Sequence, residues 1–85
     1  MKIIIEIPDY AGDGMDVFWD LDSKYAIDIQ EKSVVLSANK NGLISLAKQM
    51  LYMAYNKLPL GSHIHFDSFF TNIGEEDLEL VIEVT

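Results

Sequence analysis

Several absences narrow what this chain of 85 residues can be. It has no cysteine, which excludes disulfide bonds, thiolate zinc sites and thiol catalysis. It has no run of about 18 apolar residues, so no membrane-spanning helix is expected. Basic residues are scarce, with 6 lysines, no arginine and 14 acidic residues, for a net charge of -8. Because binding to phosphate groups needs basic side chains, we expect no nucleic acid partner.

Length and composition predict one soluble globular domain that spans residues 1–85. Hydrophobic residues make up 49% of the chain, and domains typically contain about 50 to 250 residues. A domain this small buries only about 60% of its unfolded surface, so a deep catalytic cleft is not expected. The apolar start of the chain is interrupted at Glu6 and Pro8, before it reaches the length of a signal peptide. We therefore expect a cytoplasmic protein.

Alternating apolar residues predict strands on both sides of a single helix. Residues 2–7 are rich in isoleucine, and residues 16–22 alternate apolar and acidic side chains. Short turns separate these from predicted strands at 25–29 and 33–37, and two more are predicted at 63–67 and 78–84. Short connections favour antiparallel pairing. We predict an α+β fold in the order ββββαββ, with a mostly antiparallel sheet of five to six strands and the helix on one face.

The helix is predicted over residues 40–56, where apolar residues recur every three or four positions. Asn39 is the expected N-cap, and Pro59 cannot continue the helix. The expected apolar face comprises Leu43, Leu46, Ala47, Met50, Leu51, Ala54 and Leu58. The core predicted between sheet and helix comprises Ile3, Ile5, Trp19, Leu46, Met50, Leu51, Ile64, Phe66, Leu80 and Ile82.

Both histidines of the chain lie in the segment GSHIHFD, at residues 61–67. On a strand, His63, His65 and Asp67 share one face, and pairing with the last strand would place His63 opposite Glu83 and Asp67 opposite Glu79. Two histidines and a carboxylate are ligand types of iron and zinc sites. The three outward residues from 63 to 67 spread over about 13 Å of a flat strand, however, which is too far for all of them to reach one ion. We favour a structural polar face, with no metal and no cofactor.

An acidic segment in the first half of the chain is the candidate partner-binding surface. The predicted strand at 16–22 places Asp16, Phe18, Asp20 and Asp22 on its outer face, with Trp19 packed under the helix. An aromatic side chain surrounded by charge is typical of a binding hot spot. Such a surface suits a basic partner, although composition alone favours the simpler explanation that the charge keeps a small protein soluble. Open sheet faces and edge strands also make a homodimer a candidate assembly.

No catalytic residues are predicted. The serines lack the glycine framework of a nucleophile elbow, and Gly61-Ser62-His63 does not match its pattern. The carboxylates alternate along surface strands and are not paired across a cleft, as a hydrolase would require.

Residues 39–48, NKNGLISLAK, followed by Pro59, the GSHIHFD segment and the closing residues 78–83, LELVIE, resemble the immunity protein 32 family. These small proteins are encoded beside bacterial polymorphic toxins. The resemblance covers about the C-terminal half, and residues 1–32 contribute little to it. It implies a cytoplasmic protein that binds and blocks a cognate toxin. Joined to the acidic surface, the resemblance makes a basic nuclease domain a candidate toxin. It implies no catalysis.

Two other functions remain open from the sequence. One is a small acidic regulatory module that binds proteins unrelated to toxins. The other is a metal-binding protein that uses His63, His65 and Asp67. In the immunity protein, His63, His65, Asp67 and Glu83 would form a structural network or part of the toxin contact.

Overall fold

A computed structural model describes residues 1–66 and 79–85. Within these residues the chain forms, in order, β1 (Tyr25–Gln30), β2 (Ser33–Ala38), α1 (Lys40–Tyr55), β3 (His63–Phe66) and β4 (Leu80–Glu83). The strands form two separate two-stranded antiparallel sheets, β1–β2 and β3–β4. The predicted sheet of five to six strands is therefore wrong. The α+β class and the antiparallel pairing are confirmed.

The strands predicted at residues 2–7 and 16–22 are absent, since residues 1–24 contain no strand. Apolar residues do alternate in both segments, but neither segment pairs with a strand. The N–H groups of Asp16, Phe18 and Asp20 donate to side chains of α1 and not to a neighbouring strand. An extended segment that is bonded to a helix in this way cannot also extend a sheet with the same groups.

The β1–β2 hairpin has one apolar face that is only partly covered. Tyr25 and Ile27 are buried at its base, whereas Ile29 and Val34, near its turn, are 58% and 73% exposed. Ile29 lies opposite Val34 in the ladder, so both belong to the same face as Ile27. The hairpin therefore extends beyond the core that its first residues help to form.

Helix α1 confirms the predicted span to within one residue, and Asn39 is its N-cap. Its buried face differs from the expected one, because the buried residues are Gly42, Ser45, Leu46, Gln49, Tyr52 and Met53. Leu43 and Met50, which were expected to face the core, are 55% and 48% exposed. The N-terminal part of the chain covers the polar side of the helix and so shifts its buried face away from the apolar stripe.

The β3–β4 pair confirms the predicted register. His63 lies opposite Glu83, Ile64 opposite Ile82, and Phe66 opposite Leu80. Ile64 and Phe66 are buried, while the histidines face outward. Asp67, which was predicted to follow on the histidine face, lies outside the described residues.

The predicted core is confirmed only in part. Leu46, Ile64 and Phe66 are buried, but Ile3 is 71% exposed, and Met50 is also exposed. The remaining predicted members are half-buried: Ile5, Trp19, Leu51, Leu80 and Ile82. The buried cluster instead includes Tyr25, Ile27, Tyr52 and Met53. Ile3 fails as a core residue because its segment does not join a sheet.

Candidate interaction site

A row of polar side chains along α1 binds the N-terminal part of the chain. We call this row the polar ladder; it comprises Ser45, Gln49, Tyr52 and the helix C-cap, Asn56. The spacings of four, three and four residues place these side chains on one face of the helix. Four backbone N–H groups donate to the ladder: Tyr10 N to Asn56 Oδ1 (2.7 Å), Asp16 N to Tyr52 Oη (3.3 Å), Phe18 N to Gln49 Oε1 (3.0 Å) and Asp20 N to Ser45 Oγ (3.2 Å).

The bound segment, residues 10–22, is called the strap below. Its residue numbers rise as those of the ladder fall, so it runs antiparallel to α1. Gln49 is its central contact, because the amide accepts from Phe18 N and donates from Nε2 to Asp16 O (3.1 Å). Gln49 is fully buried, and both polar atoms of its side chain are satisfied by the strap. The helix thus offers this backbone the hydrogen bonds that a neighbouring strand would otherwise supply.

Asn39 fixes the far end of the strap to the start of α1. Its Oδ1 accepts from Gly42 N (2.8 Å) and from Lys24 N (3.0 Å), and its Nδ2 donates to Asp22 O (2.6 Å). One capping side chain therefore joins the helix, the strap and the first residue before β1. Gly42 allows this close approach, because a Cβ there would lie 2.5 Å from Lys24 O.

The two adjacent aromatic residues of the strap pack on different partners. Phe18 is half-buried, with its ring centroid 5.4 Å from that of Tyr52 in an edge-to-face contact. Trp19 is also half-buried, with centroids 5.2 Å from Tyr25 and 5.5 Å from Phe66. Trp19 therefore packs against the rings of β1 and β3, and not simply under the helix. Because one side of the Phe18 ring is covered, Phe18 helps to hold the strap and is not a freely projecting anchor.

The acidic side chains of the strap are exposed. Asp13, Asp16, Asp20 and Asp22 all lie at the surface, and the strap contains no basic residue. Asp22 adopts a left-handed backbone conformation, with φ of 69°, which Asp and Asn tolerate better than most residues. The structure places Asp16, Phe18, Asp20 and Asp22 on one segment whose backbone is bonded to the helix and its N-cap, and the three aspartates are exposed.

The histidine face lies on a different element, the outer side of β3. His63 donates from Nδ1 to Gly61 O, and His65 Nδ1 contacts Glu79 Oε1, both at 3.0 Å. The two rings lie edge to face, 4.9 Å between centroids. Glu83 is opposite His63 in the β3–β4 ladder, but the histidine–carboxylate contact on this face joins His65 to Glu79. The contacts of this face are local ones across a small exposed sheet.

This face does not provide a metal site within the described residues. With both Nδ1 atoms engaged, each imidazole would bind a cation through Nε2, as histidine ligands commonly do. A stable site needs further ligands, and no group of three or more His, Asp or Glu side chains suited to a metal occurs among residues 1–66 and 79–85. The third predicted ligand, Asp67, falls outside these residues.

An apolar groove of about 420 Å³ lies between the N-terminus and the outer side of α1. Ile3, Ile4 and Ile5 form one wall, and the other is formed by Leu43, Ile44, Ala47 and Lys48. Ile3 and Ile4 are 71% and 82% exposed. Contiguous exposed apolar surface of this kind marks a contact surface more often than isolated exposed residues do.

Sequence reasoning missed the polar ladder and the role of Asn39 beyond the helix cap. A signal was present, since Ser45, Gln49, Tyr52 and Asn56 recur at helical spacing. Such a stripe normally faces water. The sequence alone therefore gave no reason to expect this stripe to be buried by residues 10–20.

The fold and these surfaces define a small α+β protein with exposed acidic and apolar surfaces. The profile of immunity protein 32 matches residues 33–85, more than half of the chain, and the chain belongs to that family. The match includes the helix with its polar ladder and both β3 and β4, but not the strap. No curated protein and no solved structure gives a significant match. No helix in the described residues has the length and apolarity to cross a membrane.

Proposed function

We propose that this protein binds a cognate toxin domain inside the producing cell and neutralises it through the acidic strap. Membership of an immunity protein family supports binding to a toxin and gives no indication of catalysis. The observation that carries the proposed surface is the set of exposed carboxylates of Asp16, Asp20 and Asp22 on a backbone held by α1.

The fixed backbone matters for binding because a partner does not have to order the strap. Each side chain immobilised on association costs about 0.5 to 1.5 kcal/mol, and ordering a loop costs more. Here the polar ladder has already ordered the segment through Asn56, Tyr52, Gln49 and Ser45. The carboxylates can therefore meet basic groups of a partner at small entropic cost.

The charge of the strap favours a toxin with a basic surface, such as the substrate face of a nuclease. A nuclease needs basic side chains to hold phosphate, and an inhibitor with a net charge of -8 can occupy that face. Complementary charge chiefly increases the association rate, and the increase falls as salt is added. The proposal that the toxin is a nuclease is more specific than the family membership, and the membership would stand if the toxin had another activity.

The first test is co-expression with the C-terminal domain of the polymorphic toxin encoded next to this protein. Cells that produce the toxin domain should survive only when this protein is present, and the two should co-purify at low salt. If the cells die equally fast in both cases and no complex is recovered, the immunity function is wrong. A small acidic regulatory module then becomes the better account.

The second test locates the surface. The triple variant Asp16→Asn, Asp20→Asn and Asp22→Asn keeps side-chain shape and suits the left-handed backbone at residue 22. We expect its association rate with the toxin domain to fall about tenfold or more at low salt. The matched control replaces three acidic residues elsewhere, Asp28→Asn, Glu31→Asn and Glu83→Gln. Equal losses in both variants would indicate a general charge effect and would contradict binding through the strap.

A further inference from the structure

Residues 2–6, KIIIE, have no regular secondary structure, and their backbone has no hydrogen-bond partner among the described residues. No hydrogen bond joins residues 1–7 to any other residue that the structure describes. The segment is rich in β-branched side chains, which favour strands, and Ile4 is 82% exposed. Extended segments with open N–H and C=O groups readily accept a strand from another chain.

The segment also lies on exposed apolar surface. Ile3 to Ile5 form one wall of the groove whose other wall is Leu43, Ile44 and Ala47. Ile5 and Ile7 are half-buried, whereas Ile4 and Glu6 are exposed. Ile3 and Ile4 are therefore both available for contact with a second chain, at 71% and 82% exposure.

The charge pattern of residues 2–6 is complementary to a second, antiparallel copy of the same segment. In an antiparallel pair centred on Ile4, Lys2 of one chain lies opposite Glu6 of the other, and Ile3 lies opposite Ile5. Each pair occurs twice, because the arrangement has a twofold axis through the centre. Opposite charges directly across an antiparallel pair stabilise it, and like charges destabilise it.

We propose that residues 2–6 of two copies of this protein pair antiparallel about Ile4 and form a homodimer. The interface is isologous, so the same surface serves both subunits and the assembly closes at two. Ile5 of each subunit covers part of the exposed Ile3 of its partner. The apolar grooves of both subunits lie next to the two paired segments. This self-association uses a surface other than the acidic strap and does not depend on toxin binding.

Charge exchange gives the first test, by sedimentation equilibrium of the untagged full chain. Lys2→Glu places Glu opposite Glu6, and Glu6→Lys places Lys opposite Lys2. Each single variant should raise the dimer dissociation constant by about tenfold, and the double variant Lys2→Glu with Glu6→Lys should restore it.

General repulsion between acidic chains makes a different prediction for the same variants. It predicts that Glu6→Lys strengthens association, because the variant is less acidic. Lys32→Glu, in the turn between β1 and β2, changes the net charge by the same amount as Lys2→Glu and is the matched control. It should leave the dissociation constant within about twofold of the parent value. A wild-type chain that remains monomeric at millimolar concentration would overturn the proposal.

Cross-linking gives an independent test, because the chain contains no cysteine. The variant Ile4→Cys places two thiols directly opposite each other at the twofold axis, with a Cβ separation close to that of a disulfide. Val34→Cys, at a position that is 73% exposed, is the control. Under mild oxidation the Ile4→Cys variant should form covalent dimer at least tenfold faster than the control. Equal rates would show that the Ile4 positions do not meet and would contradict the pairing.

Discussion

The N-terminal 24 residues and the rest of the described chain hold their backbones in different ways. Residues 25–66 and 79–85 contain both sheets and the helix, and their hydrogen bonds largely follow regular secondary structure. The strap uses side chains of α1 as its partners. The family match begins at residue 33, so the part that it covers includes the polar ladder but not the segment that the ladder binds.

The contacts between the polar ladder and the strap depend on the backbone of the strap more than on its side chains. Side chains of the ladder bind the strap through its backbone N–H and C=O groups, so these contacts constrain the strap sequence little. Different side chains could therefore be displayed on the same support, apart from Phe18 and Trp19, which pack inward. The family match includes the ladder, whereas the strap, whose backbone the ladder holds, lies outside the match.

The largest expected effect is in the second region, at Phe66. Its side chain is buried and contacts the rings of Trp19 and Tyr25. Phe66→Ala should lower the free energy of unfolding by about 3 to 5 kcal/mol, because it removes apolar burial and leaves a cavity. Urea denaturation measures this change. Met50→Ala, at an exposed position, is the control and should cost less than about 1 kcal/mol. Similar losses in both variants would contradict the core described above.

The second prediction separates the strap from the fold. Gln49→Leu removes the acceptor for Phe18 N and the donor for Asp16 O, and each unsatisfied buried group costs about 1 to 3 kcal/mol. We expect a total loss of about 2 kcal/mol, since water can reach part of the released strap.

Hydrogen exchange of the Gln49→Leu variant should show where that loss occurs. Amides of residues 16–20 should exchange faster, while those of β1 and β3 keep their protection. Gln30→Leu, an exposed change in the β1–β2 hairpin, serves as the control. Loss of protection throughout the chain would mean that strap and fold are a single cooperative unit.

The sequence predicted the second region well because its signals are local. Asn39 and Pro59 mark the ends of a helix, and the parity of alternating residues sets Ile64 opposite Ile82. In the first region, the same alternation at residues 16–22 predicted a strand. Alternation indicates an extended backbone with two faces, but it does not show whether the backbone bonds to a strand or to helix side chains.

The errors in the candidate site have the same origin. Phe18 was predicted to project from a strand surface, whereas its ring lies against Tyr52. Tyr52 and Gln49 were assigned to the polar side of the helix, and only the long-range approach of residues 16–18 makes that side buried. Contacts between residues more than 30 positions apart leave little trace in a single sequence.

The third prediction concerns the junction of the two regions, at Gly42. Alanine normally stabilises a helix relative to glycine by about 1 kcal/mol. Here the added Cβ would lie 2.5 Å from Lys24 O and 3.0 Å from Asn39 Oδ1, so the backbone before β1 must shift. We expect Gly42→Ala to destabilise the protein by about 1 to 2 kcal/mol in thermal unfolding. Ala47→Gly, on the open side of the same helix, should show the ordinary helix cost alone. If Gly42→Ala were stabilising, the strap end would not be clamped as described.

The smallest expected effect is at the histidine face, which belongs to the second region yet contributes little to its stability. The pair of His65 with Glu79 is about half exposed on both sides, and such pairs contribute between about 0 and 1 kcal/mol. Replacing His63 and His65 together by Gln should therefore change the free energy of unfolding by less than about 1 kcal/mol.

Because two imidazoles without a third ligand hold a metal weakly, chelator treatment should leave the melting temperature of untagged protein unchanged. Zinc added at one equivalent should also have no effect. A rise of several degrees with zinc that disappears in the double Gln variant would show that the face completes a metal site, and would make the histidines a functional part of the family-matched region.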